Sequence, residues 1–162
     1  KKKNSKCVRE LCFKSLKTKI YYFKNDITEK KDRLMLNFGH TFAHAIEMAL
    51  EKNNKKKVEV LRHGEAVGIG ILCELYYASN LKENKLIKKT KEILNLYKLP
   101  INLKFLNLNK SKFQNDIFKF LFLDKKRVNK HPRFIKLLNL GKPTISEMQD
   151  YGKINFIIRK IL

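Results

Sequence analysis

The chain has 162 residues and 43% hydrophobic content, enough for one domain with a real core, and no apolar run of 18 residues that could span a membrane. Its 37 Lys and Arg against 15 Asp and Glu give a net charge of +22. The excess is lysine spread along the chain rather than arginine gathered in a motif, and Lys, Asn and Ile share AT-rich codons. Codon bias therefore accounts for the charge, and a basic nucleic-acid-binding module is the less favoured reading.

The start, KKKNSKCVRE, has neither a methionine nor the apolar core of a secretory signal, so the chain reads as part of a longer, cytoplasmic protein. Cys7, Cys12 and Cys73 form an odd set without metal-ligand spacing, which fits a reducing compartment. Cys12 and Cys73 sit among apolar residues and are expected in the core.

In chain order, Val8, Leu11, Cys12, Leu16, Ile20 and Phe23 predict a helix over 5–24. Asn25–Lys31 is a polar connection in which Asp26 and Glu29 are spaced as a capping box. A long helix is predicted from Asp32 to Lys52, with Leu34, Phe38, Phe42, Ile46 and Met48 apolar, and a charged loop follows at 53–59. His63 stands at the expected start of the next helix, HGEAVGIGILCELYYAS (63–79), with Glu65 in its first turn. Interior glycines cost a helix about 1 kcal/mol each relative to alanine, so Gly64, Gly68 and Gly70 call for a close neighbour as compensation.

A helix over 83–98 should stop before Pro100, and 101–109 reads as irregular. Ser111–Leu123 is predicted helical with Phe113, Ile117, Phe120 and Leu121 inward. A basic loop at 124–133 leads into a short strand at 134–140, Gly141 and Pro143 interrupt the chain, and Ile154, Ile157, Ile158 and Ile161 mark a final helix. The expected fold is a single, mainly helical domain over 1–162 with at most a short strand or hairpin.

One stretch concentrates chemistry. In RLMLNFGHTFAHAIEMALE (33–51), Arg33, Asn37, His40, His44 and Glu47 follow one another at steps of four, three, four and three, which on one continuous helix would align them on a single stripe. Two imidazoles one turn apart are a familiar pair of zinc donors, although His-Thr-Phe-Ala-His lacks the glutamate of the HExxH proteases. The neighbouring arginine and amide suit a phosphorylated or polyhydroxylated small molecule.

With RxxxNxGHTFxHAIE, then HGEAVxIG, then DKK, the chain closely resembles the C-terminal domain of the 3-dehydroquinate synthase family. Ser15, Lys19, Asp26 and Glu29 fit the SxxxK and DxxE patterns upstream, and FIKLLNLGK extends the match downstream. The resemblance implies the multihelical C-terminal half of a two-domain lyase of the shikimate pathway, one that converts 3-deoxy-D-arabino-heptulosonate 7-phosphate to 3-dehydroquinate and phosphate. It implies NAD, held mainly by an N-terminal α/β domain, and Zn2+ or Co2+, with His40 and His63 as metal ligands that also face substrate. A glutamate of the N-terminal domain would complete the ligand set.

By the same resemblance His44 handles a proton near the leaving phosphate and Glu29 accepts one. Lys19, Arg33 and Asn37 contact substrate, as does Lys126, with Lys125 as the alternative. The whole enzyme is expected to be a homodimer without membrane attachment. No GxGxxG occurs here, so this chain alone is expected to be inactive. Departures from the pattern are Ala43 in place of glycine, a longer charged loop at 53–59, and Lys-Asp before Arg33. Glycerol dehydrogenases share the two-histidine layout but not the Arg33–Asn37 stretch or DKK; related sugar-phosphate cyclases, or an inactive fragment, are the nearer alternatives.

Overall fold

Apolar residues at three- and four-residue spacing produce the first element, α1 (Ser5–Asn25), in the computed structural model, which describes residues 5–53, 60–123 and 131–162. Proximity along the backbone divides the chain into two compact units, Lys1–Leu36 and Asn37–Leu162.

In the first unit no side chain of α1 is buried, and Cys12, expected in the core, is exposed. Asp26 ends the helix. Its amide donates to the Tyr22 carbonyl, and its carboxylate accepts the amides of Lys30, Lys31 and Arg33 at 3.1, 2.7 and 3.2 Å. This is not the reciprocal capping box the spacing suggests, because the carboxylate reaches forward past Glu29, which is left in the left-handed region at φ 54°.

The long helix expected from Asp32 does not form. A 3-10 helix covers Asp32–Asn37, Gly39 turns the chain at φ +84°, and α2 (His40–Asn53) starts only at the first histidine. The helical period gives way at Gly39, which adopts a conformation that L side chains rarely take, while Asp26, by accepting the Lys30, Lys31 and Arg33 amides, fixes the approach to the 3-10 helix.

The second unit is built around α3 (His63–Ala78), which is buried almost all round through Ala66, Ile69, Leu72, Cys73, Leu75, Tyr76 and Tyr77. Helix α2 packs on it with Phe42, Ala43, Ala45, Ile46, Ala49 and Leu50 inward, while Met48 is exposed. The glycines of α3 have the expected function at two positions. A Cβ at Gly70 would run into the Gly39 carbonyl, so α2 and α3 meet backbone to backbone there, and one at Gly68 would lie 3.1 Å from Leu94.

Helix α4 (Lys85–Leu96) is capped by the Asn84 side chain on the Ile87 amide, and α5 (Lys110–Leu121) by Asn109 on Lys112. The segment between them is irregular, as predicted. Phe113, Ile117 and Leu121 bury one face of α5 against α2. Strands β1 (Arg133–Leu137) and β2 (Pro143–Glu147) form an antiparallel hairpin with Ile135 opposite Ile145, and α6 (Tyr151–Ile161) closes the core with Ile154, Ile157, Ile158 and Ile161. The mainly helical class with one short hairpin stands as expected. Among the described residues no helix is long and apolar enough to cross a membrane.

Candidate active site

Two helix starts converge. Gly39 delivers His40 as the first residue of α2, and His44 follows one turn later. His63 is the first residue of α3, whose start is secured by the Glu65 carboxylate accepting the Arg62 amide at 2.9 Å. Because Gly70 lets these helices touch, the three imidazoles form a triangle. Ring centroids are 5.7 Å apart for His40–His44, 5.4 Å for His40–His63 and 6.1 Å for His44–His63.

The rings are individually held. His63 Nδ1 lies 2.8 Å from Glu47 Oε1, and His40 Nδ1 lies 3.4 Å from the Phe38 carbonyl oxygen. Nδ1 being engaged on both leaves Nε2 as the nitrogen free to act. Burial, together with the neighbouring His44 and His63, lowers the basicity of His40, against the opposing pull of the Phe38 carbonyl and Glu47. A neutral His40 is the form that donates a lone pair.

Further along α3, Glu74 is fully buried, a residue the sequence reading did not single out. Its Oε2 accepts the Ile135 amide of β1 at 3.2 Å, while Oε1 has no hydrogen-bond partner. Burial pushes this carboxyl up to about 8, against the opposing pull of the Ile135 amide. Thr41 donates its hydroxyl to the Arg133 carbonyl at 2.7 Å, so α2 begins tied to the hairpin.

The predicted single stripe is broken by the turn at Gly39. His40, His44 and Glu47 remain together on α2 in the second unit, joined by His63; Asn37 belongs to that unit as the last residue of the 3-10 helix. Lys19, Glu29 and Arg33 belong to the first unit. Lys19 is exposed on α1. The Arg33 guanidinium is 3.3 Å from the Glu29 carboxylate, donates to the Ile27 carbonyl at 2.8 Å and lies over the Phe23 ring at 4.9 Å. Lys125 and Lys126 lie outside the described residues.

Paired imidazoles with their second nitrogens anchored suit a borderline ion such as Zn2+ or Co2+. Among the described residues no three His, Cys, Asp or Glu side chains are placed to hold a metal by themselves. His40 and His63 therefore fit as part of a ligand set rather than as a closed one.

Comparison with known proteins bears on this arrangement. Residues 1–127 match the family described as 3-dehydroquinate synthase C-terminal. Curated 3-dehydroquinate synthases align with the chain from Campylobacter jejuni strain RM1221 (33% identity, 88% of this chain, 39% of the relative), Staphylococcus epidermidis strain ATCC 35984 (34%, 84% and 35%) and Methylacidiphilum infernorum (36%, 80% and 34%). The chain thus spans between about a third and two fifths of these relatives' length. Among solved structures it is similar to a 2-deoxy-scyllo-inosose synthase complexed with carbaglucose-6-phosphate, NAD+ and Co2+, at 28% identity and a TM-score of 0.63, covering 85% of this chain and 37% of that one.

Proposed function

The chain belongs to the 3-dehydroquinate synthase family as its C-terminal domain, and on that premise we propose that it is the metal- and substrate-binding part of an enzyme converting 3-deoxy-D-arabino-heptulosonate 7-phosphate to 3-dehydroquinate and phosphate in the shikimate pathway. The observation that carries this reading is the imidazole triangle, with two rings anchored through Nδ1 at the starts of two touching helices.

In this reading His40 and His63 are two of the metal's ligands, and the remaining donor comes from the N-terminal NAD-binding domain. When bound, the divalent ion supplies Lewis-acid polarisation of a substrate hydroxyl and NAD supplies a transient oxidant. His44, exposed beside the pair, holds or moves a proton near the departing phosphate, a task suited to an imidazole near neutral pH. Glu29 accepts a proton from the substrate. Arg33, held by Glu29 and the Ile27 carbonyl, presents a fixed guanidinium to anionic oxygens. Lys19, Asn37 and Lys126 add contacts to carboxylate, hydroxyl or phosphate oxygens. The whole enzyme works as a cytoplasmic homodimer.

The likeness to a 2-deoxy-scyllo-inosose synthase supports a second reading, a related sugar-phosphate cyclase. The deciding experiment measures phosphate release by the full-length protein, with and without NAD and Zn2+ or Co2+. Release from the heptulosonate phosphate that needs both cofactors is the expected result. Release from glucose 6-phosphate instead points to the second reading, and none from either substrate overturns both.

A further inference from the structure

The geometry points to Glu47 as the positioning residue that holds the exposed His63 ring for metal binding, an inference that rests on the function proposed above. The His63 side chain is 59% exposed, so packing does not orient it. Among the described residues its polar contact is Nδ1 against Glu47 Oε1 at 2.8 Å, and the Glu47 side chain, at 31% exposure, is the better anchored of the two.

Glu47 lies on α2 one turn beyond His44 and two beyond His40. The helix that supplies one ligand thus sets the ring of the other. A carboxylate accepting from Nδ1 places the proton there, stops rotation about the ring axis, leaves the Nε2 lone pair outward and makes that nitrogen more electron-rich. His40 has only a backbone carbonyl in the corresponding place, at 3.4 Å. The two ligands are unequal in support, and His63 depends on a side chain that can be removed.

The test uses the full-length protein stripped of metal and titrated with Co2+, read by equilibrium dialysis and by the visible absorption of the bound ion, with thermal unfolding of each metal-free variant alongside. Glu47→Ala is expected to weaken Co2+ binding by about 10–100-fold and to alter the spectrum. Glu47→Gln keeps an acceptor oxygen without the charge and should fall between Ala and wild type. Glu51→Ala, an exposed acid on the same helix, should leave affinity and spectrum unchanged.

Wild-type affinity and spectrum in both Glu47 variants overturn the assignment while the functional reading stands. So does a loss of thermal stability in Glu47→Gln with metal affinity unchanged, because that is the mark of a merely structural contact. A wild-type protein that binds no Co2+ and releases no phosphate overturns the functional reading and this assignment with it.

Discussion

Burial and two neighbouring imidazoles disfavour the charged form of His40, while the Phe38 carbonyl engages its Nδ1. His63, at the more open end of the cluster, has a carboxylate instead, and His44 meets the other two rings edge-on. Those differences separate the expected phenotypes. In the full-length protein His40→Ala or His63→Ala should lose bound metal, measured by metal analysis after gel filtration. His44→Ala should keep its metal and lose turnover by roughly 10²–10⁴-fold, the span of a general acid–base group. Equal metal content in all three would sink the division of roles. The helical spacing of His40, His44 and Glu47 was legible in the sequence and α2 keeps it, but Arg33 and Asn37 fall before the turn at Gly39, and Glu47 was visible only as a member of the expected stripe. Its partner lies 16 positions away, and no helical spacing connects them.

Between elements, the decisive contact is that of α2 with α3. Gly70 faces the Gly39 carbonyl with no room for a Cβ, so Gly70→Ala should separate the helices, cost about 1–3 kcal/mol of stability through overpacking and lower the midpoint of thermal unfolding. Glu74, one turn on, joins α3 to β1. Its carboxyl is raised to about 8 in the folded protein, so the folded state holds that proton more tightly than the unfolded chain does. Its contribution to stability is therefore complete below the ordinary carboxylate range and is lost as pH rises toward and through 8. The slope is at most about 1.4 kcal/mol per pH unit. Urea unfolding of the full-length protein across that range should show the decline, and Glu74→Gln should flatten it. A flat wild-type profile would contradict the buried, singly bonded carboxyl. Neither Glu74's burial nor its bond to Ile135 follows from local pattern, since both depend on a hairpin 61 residues away.

At the scale of the molecule, no three His, Cys, Asp or Glu side chains among the described residues are placed to hold a metal, whereas a closed site needs at least three donors. The chain also spans between about a third and two fifths of its curated relatives. The expected outcome for this 162-residue piece by itself is weak Co2+ binding and no phosphate release, measured beside the full-length protein. Catalysis by the piece alone would contradict the need for a second domain. Its positive charge sits on lysines along the whole sequence, and the chemistry argued here uses only a few of them.

What the sequence by itself determined was the helical class and the position of most elements. Apolar periodicity, Asn and Asp caps, and His, Arg and Glu at short spacing are local facts that local physics turns into helices and faces. Only the tertiary structure decided that the helix expected from Asp32 breaks at Gly39. It also brought His63 to His40 and His44, set Glu47 against His63 and tied Glu74 to β1. The break reflects the left-handed backbone at Gly39, and the rest reflects close packing of segments far apart in the chain. Neither is encoded in periodicity.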